Sequence, residues 1–181
     1  MSETVIEWAG KERLFRLTMG GVLDLEQAVG EGIGKIFVRL SSGQFSVRDV
    51  HETMRLGLIG GGLGVLDAKR LLDAHFETRP GGYMENATIA ATILTDLMTG
   101  IEPAVADAGK GEPNETFAFS ELSQICRVFH MSPQDLRDMR YADFVNLVRG
   151  FNASKPDKKA PHISEEEFID ILNRYEPEAI Q

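Results

Sequence analysis

The chain has very little cysteine, since Cys126 is the only one among 181 residues. One thiol excludes an internal disulfide and leaves too few thiolates for a Cys-rich zinc site. No apolar run approaches the roughly 20 residues that a membrane span needs, and no basic region followed by an apolar run opens the sequence. We therefore expect a cytoplasmic protein with no membrane partner.

Positive charge is also scarce. The sequence has 19 Lys and Arg against 28 Asp and Glu, which gives a net charge of -9 and a pI near 5.0. Because phosphate binding requires cations that displace counterions, we expect no nucleic-acid partner. With 43% hydrophobic and 26% charged residues, the composition is typical of a folded globular protein.

The pattern predicts a mainly α protein, in which an N-terminal β-hairpin precedes a small helical bundle. Residues 4–17 read as two short strands around a turn that contains Gly10. Helical spacing of apolar residues follows at 18–29, 33–40, 46–58, 65–77 and 83–99. Ser46 and Asp49 predict a capped helix start, and the helix at 65–77 has Leu66, Leu71, Leu72 and Phe76 as its apolar members.

A polar run rich in Gly and Pro indicates a division into two domains. We predict a hairpin plus helical domain at 1–106, a linker at 107–116, and a small helical extension at 117–181. Within the extension, Ser132 and Pro133 are typical of a helix start. A last helix is predicted to begin at Ser164, with Glu167 completing a capping box.

The sequence offers little that indicates catalysis. Gly60-Gly61-Gly62-Leu63-Gly64 is the one phosphate-loop candidate, but a helix precedes it and no Lys-Ser/Thr follows, so a flexible turn between helices is favoured. The histidines lack the three- or four-residue spacing of a helical metal pair. Cys126 lies among apolar residues and reads as a small hydrophobe. We expect no catalytic residues, no metal and no cofactor.

Several short motifs, in their order and spacing, resemble the gene transfer agent family of tail proteins, which are bacterial tail assembly chaperones similar to those of tailed phages. The motifs are Arg16-Leu17-Thr18-Met19-Gly20-Gly21-Val22-Leu23-Asp24-Leu25-Glu26, Gly43-Gln44-Phe45-Ser46-Val47-Arg48-Asp49-Val50 and Leu56-Gly57-Leu58-Ile59-Gly60-Gly61-Gly62. The resemblance covers roughly residues 1–105. Residues 125–150 are similar to a small companion tail chaperone, although the tryptophan of that pattern is missing from residues 136–139.

The resemblance implies a fused or frameshift-extended chaperone that is not an enzyme. Its first module would coat the tape measure protein and self-associate, and its extension would recruit tail tube protein. The candidate protein-binding residues are apolar ones that a small core leaves exposed, namely Phe37, Leu40, Phe45, Phe144 and Phe151; a core position is an equal alternative for each. A small helical regulatory adaptor and a nucleotide-binding enzyme that uses Gly60–Gly64 are the rival interpretations.

Overall fold

A computed structural model describes residues 4–76, 82–102 and 116–154. The described elements are β1 (Thr4–Trp8), β2 (Lys11–Phe15), α1 (Met19–Val29), α2 (Ile33–Ser42), α3 (Val47–Gly60), α4 (Val65–His75), α5 (Gly82–Met98), α6 (Phe119–Val128), α7 (Pro133–Asp138) and α8 (Tyr141–Ser154). This architecture confirms the predicted fold class, a hairpin followed by helices. The predicted helix at Ser164 and residues 107–115 of the predicted linker lie outside the described residues.

The hairpin packs against the helices through its aromatic residues. Ala9 and Gly10 form the turn with φ angles of 53° and 75°, as a two-residue turn between twisted strands requires. The rings of Trp8 and Phe15 are both buried and meet edge to face at 6.4 Å. The indole N–H of Trp8 donates to Asn86 Oδ1 at 2.9 Å. The hairpin is therefore fixed to α5 by a buried hydrogen bond as well as by packing.

Helix α3 is the centre of the main core, because it packs against α1, α4, α5 and β2. Its buried Val50, Met54 and Leu58 recur at four-residue spacing and so form one stripe. The predicted helix start is confirmed: the Ser46 hydroxyl accepts from the Asp49 N–H at 3.1 Å, and the Asp49 carboxylate accepts from the Ser46 N–H at 2.9 Å. Asp49 is fully buried and pairs with Arg39 Nη2 at 2.7 Å, which ties α2 to α3.

A second, smaller cluster of buried side chains joins α1 to the helices that follow residue 116. Met19 of α1, Leu136 of α7 and Phe144 of α8 form its centre. Residues 1–149 make one compact unit and residues 150–181 a second, of which only 150–154 are described. The prediction of separate domains at 1–106 and 117–181 stays a prediction.

Candidate protein-binding surface

The five predicted binding residues occupy different environments. Leu40 and Phe144 are buried, so the prediction that these two residues are exposed is wrong and the core alternative holds for them. Leu40 completes the stripe of α2 that faces the core, and Phe144 meets the ring of Phe117 at 5.6 Å. Phe37 and Phe45 are half-buried against the main core, and Phe151 is half-buried at the end of α8. Protein binding by these residues stays a prediction.

Other large apolar side chains are more exposed than any of those five. Among the described residues, the set comprises Val5, Val38, Val47, Val65, Leu66, Met84, Phe119 and Val128. Single exposed apolar residues are ordinary, whereas neighbouring ones indicate a contact surface. Val65 and Leu66 are adjacent in the first turn of α4 and are 60% and 68% exposed. Helix α4 is therefore a candidate for a binding surface.

Helix α4 buries only a narrow face. Ala68, Leu72 and Phe76 recur at four-residue spacing and are buried, and this stripe holds α4 against the core. Leu66 precedes Ala68 by two residues, which is about 200° around a helix, so its side chain points away from the core. Leu66, an apolar member of the predicted helix, therefore lies outside the core, and the four-residue spacing of Ala68, Leu72 and Phe76 is the sequence signal for this.

A shallow groove of about 310 Å³ runs between α4 and strand β2. Half-buried Leu63 and Leu71, together with Ala74, supply its apolar lining. Arg13 and Arg70 also line it, together with Asp67. We use the name α4 surface for the six residues of this groove and for Leu66, which lies one helical turn before Arg70. A groove lined by both apolar and charged side chains can accept one face of an amphipathic helix.

The charges on α4 are largely paired with one another. Lys69 Nζ lies 2.6 Å from Asp73 Oδ2, and Arg70 Nη1 lies 3.5 Å from Asp67 Oδ1. Both pairs are exposed, and each joins residues three or four positions apart on one helix. Surface pairs of this kind contribute little to stability. These pairs leave the exposed side of α4 polar and close to neutral in net charge.

The glycine-rich turn from Gly60 to Gly64 is built for close packing. A Cβ on Gly60 would lie 2.1 Å from the Arg16 carbonyl oxygen, and one on Gly61 would lie 1.9 Å from that of Leu14. Gly62 has φ of 101°, a conformation that favours glycine. These glycines let β2 rest directly on the end of α3.

The amides of this turn are already engaged within the protein. The N–H groups of Gly61, Gly62 and Leu63 donate to the carbonyls of Gly57, Ile59 and Leu58 at 2.9 to 3.0 Å. The last two bonds form the pattern that ends many helices at a left-handed glycine. A phosphate cradle needs amides that point outward and are free to donate. The geometry therefore explains these glycines through helix termination.

The other chemical candidates are dispersed. Cys126 is half-buried beside the second cluster, in keeping with a small hydrophobe, and His130 is exposed just beyond α6. Across 4–76, 82–102 and 116–154, no three His, Cys, Asp or Glu side chains stand where they could share a metal ion. Within those same ranges, no helix is long and apolar enough to cross a membrane.

Residues 1–100 match the family described as phage tail tube protein, GTA-gp10. The chain belongs to this family. The match supports the gene transfer agent and phage tail part of the resemblance, and it gives the protein a role associated with phage-like tails. The family's description names a tail tube protein where the resemblance implied an assembly chaperone. No curated protein and no solved structure matches the chain significantly.

The family match ends at residue 100, just after α5, so α6, α7 and α8 lie beyond it. These three helices are called the C-terminal helices below. They pack onto the family region chiefly at α1, where Arg137 Nη2 lies 2.9 Å from both carboxylate oxygens of Asp24. The Met19 N–H donates to the Met139 carbonyl at 2.8 Å. The first half of α1 therefore makes a second set of contacts, and the residues on the other side of these contacts lie beyond the family match.

The end of α5 provides a further attachment point for the C-terminal helices. The Asn146 side chain accepts from the Glu102 N–H at 3.0 Å and donates to the Gly100 carbonyl at 2.8 Å. Arg149 also donates to the Glu102 carbonyl. Burial, reinforced by the charge of Glu26, raises the pKa of Tyr141 to about 12, so this hydroxyl keeps its proton at neutral pH. The attachment at this point thus consists of hydrogen bonds close to a partly buried tyrosine.

Proposed function

We propose that this protein is a tail assembly chaperone that acts in the cytoplasm. Its family region binds the tape measure protein and shields it from aggregation, and its C-terminal helices recruit tail tube subunits. It works by binding, and it needs no catalytic group, cofactor or metal. Membership of a phage tail family supports the setting, and the α4 surface supports the mode of action.

The observation that carries this proposal is the open groove between α4 and β2, which has Leu63, Leu71 and Ala74 as its apolar lining and exposed Leu66 one helical turn before Arg70. A helix in the groove would place its own apolar residues against Leu63 and Leu71, and its polar face against the paired charges of α4. A tape measure helix of that chemistry fits the surface. The net charge of -9 also keeps the chaperone soluble while it carries an apolar client.

The test is co-expression of the full chain with the tape measure protein of the same gene cluster, followed by co-purification. Leu66→Glu places a charge at the edge of the α4 surface, one helical turn before Arg70, and we expect it to reduce the recovered tape measure protein about tenfold or more. Val38→Glu is the matched control, because Val38 is 62% exposed on α2 and undergoes the same change. Equal recovery with both variants would remove the α4 surface from the proposal, and no recovery with the wild type would end it.

Recruitment of tail tube protein is tested separately through α6. Phe119 is 85% exposed, and we expect Phe119→Glu to lower co-purification of tail tube protein while tape measure binding stays unchanged. A loss of both partners in this variant would contradict the division of labour between the two regions.

The description of the family supports a second candidate, in which the chain is itself a subunit of the tail tube. A structural subunit remains in the finished particle, whereas a chaperone leaves before completion. Mass spectrometry of purified particles separates the two, because many copies per particle would indicate a tube subunit. Calorimetry with a panel of nucleotides tests the remaining enzyme alternative at Gly60–Gly64.

A further inference from the structure

The contact between α1 and the C-terminal helices has the composition of an interface between two partners. One side comes from the family region, which ends at residue 100, and the other comes from residues beyond 116. The buried centre of the contact is small and consists of Met19, Leu136 and Phe144. Half-exposed polar pairs surround it, and Asp24 and Arg137 are 44% and 41% exposed. Apolar centres with polar rims are typical of protein interfaces.

The fit on α1 is specific for the sequence of α7. A Cβ on Gly20 would lie 3.0 Å from the Arg137 Cβ and 3.1 Å from its carbonyl oxygen, so α7 rests on the backbone of α1. A single nitrogen, Arg137 Nη2, lies 2.9 Å from both carboxylate oxygens of Asp24, so this contact requires a cation at this position. A partner that replaces the C-terminal helices here must bring a cation and a closely approaching helix, and a second copy of the chain brings both in the same geometry.

We propose that the face of α1 formed by Met19, Gly20 and Asp24, called the α1 face, is an exchange site. There the C-terminal helices of a second copy take the place of the chain's own. Residues 103–115 connect the two sides, and a stretch of that length can span at most about 50 Å. It therefore permits docking within one chain or between two. The contacts are identical in both arrangements, so the balance depends on concentration. Short connections give effective concentrations in the millimolar range, which an assembly of many adjacent copies can match.

The swapped arrangement is tested with two charge-reversal variants of the full chain, Asp24→Arg and Arg137→Glu. Each variant alone sets like charges against each other within its own chain, which weakens docking in cis. In a swapped pair of the two variants, both contacts join opposite charges. We expect each variant alone to have the monomer mass of 20.0 kDa in light scattering, and the equimolar mixture to show about twice that mass.

The double variant Asp24→Arg/Arg137→Glu is the matched control, because it restores opposite charges within one chain and is expected to stay monomeric. Circular dichroism checks that each variant is folded. A mixture that shows only the monomer mass, at concentrations up to about 1 mM, would overturn the proposal.

A disulfide gives an independent measurement. In a Cys126→Ser background, one copy carries Gly100→Cys and the other carries Ala142→Cys. Because Gly100 has φ of 92°, which strains any side chain, circular dichroism first checks that the Gly100→Cys copy is folded. The corresponding Cβ atoms are 3.8 Å apart, which is the usual separation across a disulfide. Oxidation of the mixture is expected to give a mixed dimer, and its yield should exceed that of a control in which exposed Ser123 replaces Ala142 as the cysteine site. Equal yields would count against exchange.

Discussion

The contact between the glycine turn and strand β2 gives the sharpest prediction for stability. Replacing Gly60 by alanine adds a methyl group that would lie 2.1 Å from the carbonyl oxygen of Arg16, just after β2, and replacing Gly61 adds one 1.9 Å from that of Leu14 in β2. Both partners are backbone atoms, so no side chain can rotate away. Gly61 has φ of -77°, which alanine adopts freely, and the effect of that substitution is therefore purely steric.

The magnitude follows from what must move. Strand β2 has to retreat by about 1 Å or more to reach an ordinary contact distance. That movement stretches the bond from the Arg16 N–H to the Gly57 carbonyl, now 2.9 Å long, and withdraws Phe15 from the core. Overpacking of this kind costs about 1–3 kcal/mol, and the strained hydrogen bond costs about 1 kcal/mol. We expect a loss of about 2–4 kcal/mol from the free energy of unfolding.

Thermal and urea unfolding measure this loss directly. For a chain of this length, each kcal/mol lowers the Tm by about 2–4 °C, so Gly60→Ala should melt roughly 5–15 °C below the wild type. Gly64→Ala is the matched control, because its Cβ would meet only Asp67 Oδ2 at 3.4 Å. At this helix start the control should cost about 1 kcal/mol or less. If Gly60→Ala is as stable as the control, the close-packing explanation is wrong.

Three further substitutions test other features. Ala9→Asn should stabilise the hairpin turn by about 0.5–1 kcal/mol in urea unfolding, because φ of 53° suits Asn better than Ala; a loss would contradict this. Thr53→Val should raise the Tm slightly, since the Thr53 hydroxyl is buried without a hydrogen-bond partner; a lower Tm would show that the hydroxyl is satisfied. Hydrogen bonds from His51 and Arg55 lower the pKa of Glu52 to about 2, so its contribution is complete above pH 4.5 and lost as the pH falls towards 2. Glu52→Gln should therefore cost about 1–2 kcal/mol at pH 7 and much less at pH 2.5; an equal cost at both would refute the assignment.

Local signals in the sequence were sufficient for the helices and their starts. Ser46 with Asp49 and Ser132 with Pro133 predict helix starts from chemistry within four residues, and both helices begin there. The hairpin was also predictable, because Gly10 supplies one of the two positive φ angles that its turn needs. These features depend on neighbours along the chain, and such neighbours are visible in one sequence.

Contacts between distant segments were not predictable in the same way. Phe144 looks like a surface residue as long as α8 is considered alone, and it becomes a core residue only because α1 and Phe117 cover it. The glycine turn looks flexible until β2 lies against it. The outward position of Leu66 is different, since the spacing of the buried α4 residues already indicated it. The outward position of Leu66 could thus be predicted from sequence, whereas the docking of the C-terminal helices could not.

Glu26 shows how the α1 face is held together. Its carboxylate is buried and accepts from the Ile33 N–H at 2.8 Å, at the start of α2, and from the Phe117 N–H at 3.0 Å. Burial nevertheless raises the pKa of Glu26 above its ordinary value, so the folded state holds this proton more tightly than the unfolded chain does. Its charged form therefore opposes folding as the pH rises through that range. A buried charge is tolerated here because both amides need an acceptor, and one of them belongs to the segment that carries the C-terminal helices. When the helices of a second copy dock, the Phe117 N–H of that copy donates to the Glu26 carboxylate in place of the chain's own. Glu26 therefore favours docking of a second copy's helices over a state in which no helices are docked on α1.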